Sequence, residues 1–216
     1  EKTQLPTGWG VEQQITCVDG STFQMYMANM KSIFMDMIKN TDMVIFNRCK
    51  KEDPLPTYRR GIKVANQRAE VIFEDEEGEL GDIFQDEMPF DMNAPVIEIL
   101  PEDYGIWFVD AMDHPENYEG KTVKFKARVM KPRGMGSKFF VPGRTAMTCC
   151  ADDTTFLGYV CKSAYAPKLT PGEWVEVTAK VGIEKRNEYQ GEEGIVLAAE
   201  HVEQCDPLED EMVYFN

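Results

Sequence analysis

From Lys121 onward the side chains fall into a period of two. Val123, Phe125, Ala127 and Val129 alternate with Lys124, Lys126 and Arg128. In an extended chain this sends the apolar groups to one face and the cations to the other. The pattern returns from Trp174 to Val181 and again from Ile195 to Val202. Between these runs lie Phe139 to Cys150 and Thr155 to Cys161. The connections are short: Pro132-Arg133-Gly134-Met135-Gly136, a loop from Pro167 to Gly172, and a polar hairpin turn from Glu184 to Gly194. A strand with one apolar face has to bury it against others, and closing the sheet on itself does so without leaving edges. The reading is a mainly β chain with some helix (α+β), its C-terminal part an OB-like five-stranded Greek-key barrel; a sandwich is the alternative.

The residues ahead of these strands divide at Pro95, giving an N-terminal α+β module over 1–95 and the barrel domain over 96–216. Val96 to Leu100 reads as a short strand. Pro101-Glu102-Asp103 opens a helix with acidic groups at its positive end, and the helix stops near His114-Pro115. In the N-terminal α/β segment, Val11 to Val18 and Met43 to Cys49 read as strands. Ser21 with Gln24 fits a capping box, and Phe23, Met27, Met30, Phe34, Met37 and Ile38 set one face of a Met-rich helix over 22–39. Met27 and Met30 share that face, where thioethers suit Cu(I) or the filling of an irregular core. Pro54 and Pro56 break the chain, Ile62 to Phe73 reads as one or two strands, and 74–91 is an acidic crossing segment.

Hydrophobic residues make up 43% of the chain, enough for a buried core, and no run of 18 apolar residues is present, so nothing here inserts directly into a membrane. The formal net charge is -15. No Lys or Arg lies between Arg68 and Lys121, a stretch holding 17 Asp and Glu, which leaves 21 of the 38 acidic residues to face all 23 basic ones. One segment therefore carries the whole excess. Such a surface repels phosphate backbones, so nucleic acid is not an expected partner; the segment reads as a solvated acidic face, the alternative being one that attracts cations or a basic partner.

The candidate site is the turn Cys149-Cys150-Ala151-Asp152-Asp153, with Arg144 upstream on the same strand. In an extended chain Cys149 and Cys150 point to opposite faces, and a disulfide between neighbours is strained. A hairpin through Asp152-Asp153 also carries Cys161 out of reach of both. Cys149, Cys150, Asp152, Asp153 and Arg144 are the expected ligand- or partner-binding residues. Cys149 and Cys150 are the metal candidates, for zinc or copper with help from Asp152 or Asp153, and His201 lies on the last strand. Thiol oxidoreductase chemistry is a further alternative. No P-loop, dinucleotide motif or Cys/His/Asp catalytic order occurs, so the expectation is a protein that is not an enzyme and needs no cofactor.

Four features also occur in a fixed order. They are Val96-Ile97 with the helix after it; Pro115-Glu116-Asn117-Tyr118-Glu119-Gly120-Lys121; Cys149-Cys150-Ala151; and Gly172-Glu173-Trp174-Val175-Glu176-Val177. Over residues 96–216 the chain resembles an uncharacterised bacterial family described as soluble subunits of two-component permeases. Its members carry Asn-Pro-x-x-Tyr-x-Gly-Lys, Cys-Cys-Ala-Ala-Asp-Ala and a Trp-Val-x-Val strand, and end in a Pro-rich segment with Tyr, matched here by Pro207 and Tyr214. The chain departs from the pattern where Asp152-Asp153-Thr154 stands in place of Ala-Asp-Ala. The resemblance implies an extracytoplasmic binding or partner subunit beside a membrane permease. As the chain opens at Glu1, the expected anchor is a removed N-terminal segment, a membrane helix or a lipoprotein signal.

Overall fold

The computed structural model of the chain describes residues 6–81, 88–150 and 153–214, with the backbone alone for Cys149 and Cys150. The chain forms two compact units; the first runs to residue 86 and includes Thr148–Cys150, and the rest forms the second.

The first unit is a parallel sheet with helices on one face. β1 (Ile15–Asp19) leads into α1 (Gly20–Asn29) and α2 (Lys31–Ile38), then β2 (Met43–Asn47), α3 (Leu55–Ala65) and β3 (Glu70–Phe73). The sheet order is β1-β2-β3 with every pair parallel. Alternation sends Val18, Val44, Phe46 and Phe73 to the covered face, where they pack with Phe23, Met35, Ile38, Leu55, Tyr58 and Ile62. Phe23 meets Phe46 edge-on with ring centroids 4.9 Å apart.

Four local expectations are corrected here. The single helix over 22–39 is two helices, because Met30 leaves helical geometry (φ −137°, ψ 33°). The break rotates α2, so that Met35 and Ile38 enter the core while Met30 and Met37 face solvent. The helix start is capped by Asp19 rather than Ser21: the Asp19 carboxylate accepts from the Ser21 backbone N–H at 3.0 Å and its hydroxyl at 2.6 Å. The expected strand at Ile62 is instead the last turn of α3. Pro54 and Pro56 do not break the chain there; they open the helix, where a missing N–H costs nothing. Leu55, Tyr58 and Ile62, three and four residues apart, then line one buried face.

The second unit is the expected barrel. β4 (Ile97–Glu98) and α4 (Tyr104–Asp113) precede β5 (Thr122–Met130), β6 (Phe139–Cys150), β7 (Asp153–Gly158), β8 (Val160–Lys162), β9 (Trp174–Lys185), β10 (Glu193–Gln204) and β11 (Met212–Val213). β6 pairs β8, β8 pairs β10, β10 pairs β9, β9 pairs β5, and β5 returns to β6, closing the barrel. β8 and β10 run parallel and the other pairs of the ring run antiparallel. Val123, Phe125, Ala127 and Val129 are buried in β5, as are Val175, Val177, Ala179 and Val181 in β9. Their outward neighbours form ion pairs such as Lys124 with Glu176 at 2.9 Å. α4 adds Tyr104, Trp107 and Phe108, and Trp107 lies 4.8 Å from Phe125 and 5.7 Å from Tyr159 between ring centroids. The barrel interior is thus filled with side chains.

Strand closure needs one unusually close approach. An added Cβ at Gly143 would sit 2.3 Å from the Leu157 carbonyl oxygen, and one at Gly158 would sit 2.7 Å from that of Pro142. Only glycine fits at either position.

Candidate functional site

The predicted Cys-Cys turn is located by its backbone. Cys149 and Cys150 end β6 and Asp153 begins β7, so the two strands are joined through residues 151–152. The side chains of Cys149 and Cys150, and all of Asp152, lie outside the described residues. Asp153 is half-buried and engaged in a polar interaction. Cys161 is a buried free thiol opposite Phe140, ten residues along β6 from Cys150, about 33 Å of extended strand. Burial pushes its pKa up to about 12, so it stays a thiol. His201 sits on the outside of β10 and contacts Glu203 at 3.3 Å. Among the described residues no three His, Cys, Asp or Glu side chains come together as a metal site.

Arg144 is brought into the second unit's interior, with 2% of its surface exposed. Its guanidinium donates to the backbone carbonyls of Pro101, Asp210 (3.0 Å) and Met212 (3.1 Å), and lies 5.6 Å over the Tyr104 ring. Desolvation lowers its pKa from the usual arginine value. The side chain expected to meet a ligand thus ties the C-terminal strand β11 to β6, beside the register pair Met212–Thr145.

Besides a pocket of about 290 Å³ where Arg144 meets Glu102 and Asp210, the barrel unit carries an open cleft of about 590 Å³ at one end, between the β5–β6 loop (131–138) and the β9–β10 loop (186–192). One wall is Pro132 to Gly136, where Gly134 takes φ +86°. The other is Lys185 to Glu188. The second wall is rigidly built. The hydroxyl of Tyr189 accepts from the Val160 N–H at 3.2 Å and donates to the Ile195 carbonyl, and its ring packs on Gly194. The Arg186 guanidinium lies 4.3 Å over the Phe139 ring and pairs with Glu188 at 3.0 Å, which raises the arginine pKa and lowers that of the glutamate. Lys185 at the rim pairs with Glu193 at 3.9 Å and Arg186 also with Glu184 at 3.8 Å, while Arg133 is exposed on the facing wall. The lining therefore sets three cations beside Glu188, two of them held by further carboxylates, and Arg133 is the group best placed to meet a carboxylate. The sequence showed both loops as turns, but their meeting follows from barrel closure and carries no motif.

Residues 79–215 match the family model described as the DUF1980 C-terminal domain. The chain belongs to this family. The DUF1980 match spans all of the barrel strands and α4. A comparison with curated proteins finds no match. Among solved structures, the chain is similar to the mitochondrial single-stranded DNA-binding protein Rim1 of S. cerevisiae, at 10% identity and a TM-score of 0.24, covering 40% of this chain and 95% of that one. It is also similar to the aspartyl tRNA synthetase of Entamoeba histolytica, at 13% identity and a TM-score of 0.27, covering 50% of this chain and 24% of that one. At such scores neither likeness carries an argument about function.

Proposed function

We propose that the DUF1980 unit is a binding module, a non-enzymatic partner subunit of a membrane permease, held outside the cytoplasm. The observation that carries the binding role is the open cleft between the 131–138 and 186–192 loops above a barrel filled with side chains. A filled barrel has no interior site, so recognition falls to its loops, the place where OB folds bind their ligands. The permease partnership and the location rest on the ordered Tyr118-x-Gly120-Lys121, Cys149-Cys150-Ala151 and Trp174-Val175 features. Arg133 and Lys185 favour a partner segment with acidic groups.

The test uses tagged protein in intact bacterial envelopes with a short amine-free photo-crosslinker at Asn187, an exposed residue of the cleft wall. The expected product is one multi-spanning membrane protein, crosslinked to the parent and reduced at least about tenfold in the Arg133→Glu/Lys185→Glu variant. Crosslinks only to soluble proteins, or equal capture by the variant, would overturn the reading.

A further inference from the structure

We infer that the first unit joins a second copy of this chain through the outer edge of β1, making one continuous sheet across a two-fold axis. β1 pairs β2 along all five of its residues on one side. On its other side no strand pairs with it among the described residues. At the opposite edge the chain folds back on the end of β3, through the Glu74–Glu79 bridge and the Leu80 N–H, which donates to the Phe73 carbonyl at 2.8 Å. The β1 edge has no such cover among the described residues and presents a row of backbone donors and acceptors.

Such a row is satisfied as a set only by another strand. Monomeric proteins blunt an open edge with Lys, Pro or a bulge. Ile-Thr-Cys-Val-Asp of β1 has no Lys or Pro, and its pairing with β2 runs without a register shift. Ile15 of β1 is exposed, as are Trp9 and Val11 ahead of it, while other exposed apolar residues of the unit, Met25, Ile33 and Met37 among them, lie on α1 and α2. The other sheet face adds a row in register, Cys17, Ile45 and Ile72, of which Cys17 is exposed and the two isoleucines are half-buried.

The edge can pair with a second copy of itself about Cys17. With the two-fold axis at Cys17, Thr16 faces the partner subunit's Val18 and Ile15 faces the partner subunit's Asp19. No like charges then oppose each other, and Asp19 keeps its own Arg48 at 2.8 Å. The antiparallel addition is the usual way a parallel sheet gains an edge strand. Cys17 would stand opposite the partner subunit's Cys17, with Cα atoms roughly 4.5–5.5 Å apart, a spacing that admits a disulfide.

The experiment is sedimentation equilibrium of the full chain under reductant up to about 100 µM, with mild oxidation followed by non-reducing electrophoresis. The expected species has twice the 24.7 kDa chain mass. Oxidation is expected to lock it as a dimer, and Cys17→Ser to abolish the lock. Ile15→Asp sets a carboxylate against the partner subunit's Asp19 in two symmetric places, so dissociation should rise at least about tenfold, whereas Ile15→Lys should leave the dimer intact. Circular dichroism confirms folding of each variant. A monomer throughout the range overturns the inference. So does a dimer indifferent to Ile15→Asp, or one that oxidation links through any cysteine but Cys17.

Discussion

Replacing Arg144 by Met separates a structural clasp from a ligand-binding group. The methionine keeps much of the volume and removes the charge. Three backbone carbonyls, those of Pro101, Asp210 and Met212, each lose a donor. A hydrogen bond to a charged group contributes about 1.5–3 kcal/mol when buried. Pro101 and Asp210 are exposed residues, so water reaches their carbonyls in part and the contribution falls below that range, to about 1 kcal/mol each. The contact over Tyr104 adds about 0.5–1 kcal/mol. Against this, the variant no longer buries a guanidinium, whose desolvation already lowers its pKa. The balance is a loss of about 2–3 kcal/mol, concentrated where β11 joins β6. Urea titration followed by the buried Trp107 and Trp174 reads this directly. Carboxypeptidase digestion should also advance past Asp210 in the variant and not in the parent. Arg133→Met, at an exposed loop position, is the control and should stay within about 0.5 kcal/mol. If Arg144→Met matches that control and its C-terminus stays protected, the clasp is wrong.

Gly143→Ala should cost at least about 3 kcal/mol, because its Cβ meets backbone at 2.3 Å and no side-chain rotation relieves it; a urea midpoint near the parent value would count against the barrel crossing as described. At pH 8 Ellman's reagent should react with Cys17 and spare Cys49 and Cys161 in the native protein, since burial raises their thiols to about 11 and about 12; peptide mapping after the reaction checks it. Stability should fall in alkali. Tyr104 and Tyr159 are raised above their usual 10 by burial, and Tyr118 by burial and then by its bond to Asp110, and the two thiols are raised above 9. Folding therefore holds these protons more tightly; the contribution is complete below about pH 9 and is lost progressively as the pH rises through the folded values, about 11 for Cys49 and about 12 for Cys161. Melting curves between pH 8 and 11 should show that decline, and a midpoint rising through this window would contradict it.

The period-two runs made the barrel strands legible, because burial on one face writes itself into every second residue: β5 and β9 lie where Val123–Val129 and Trp174–Val181 place them. Closure was less visible. It depends on β8 running parallel to β10 and on β5 returning to β6, pairings between residues far apart in sequence. The first unit was harder, since a short apolar run fits a buried parallel strand or a helix equally. Ile62 and Val64 looked extended, but Leu55 and Tyr58 upstream complete a helical face that Pro54 and Pro56 seemed to forbid. The split at Met30 has no Pro or Gly to announce it. Arg144 was legible as special but not as internal, because three carbonyl partners leave no mark in the sequence.

The ordered sequence features differ in what they do in the fold. The Tyr118 hydroxyl donates to Asp110 of α4 at 2.6 Å, Gly120 takes φ +77° so that its N–H reaches the Val181 carbonyl at 2.9 Å, and the Lys121 ammonium donates to the Met92 carbonyl at 3.0 Å. This stretch ties the helix, the entry to β5 and the segment before β4 together. Trp174, Val175 and Val177 are buried core of β9. Those features follow from folding one particular barrel and would be kept whatever the barrel binds. Cys149-Cys150 stands apart: its backbone ends β6 ahead of β7, and its side chains lie outside the described residues. A Cys149→Ser/Cys150→Ser variant that melts like the parent but loses the envelope crosslink at Asn187 would place partner recognition at this turn as well as at the cleft. One that keeps the crosslink and melts earlier would make the pair part of the fold, and leave recognition to the loops around Arg133 and Lys185.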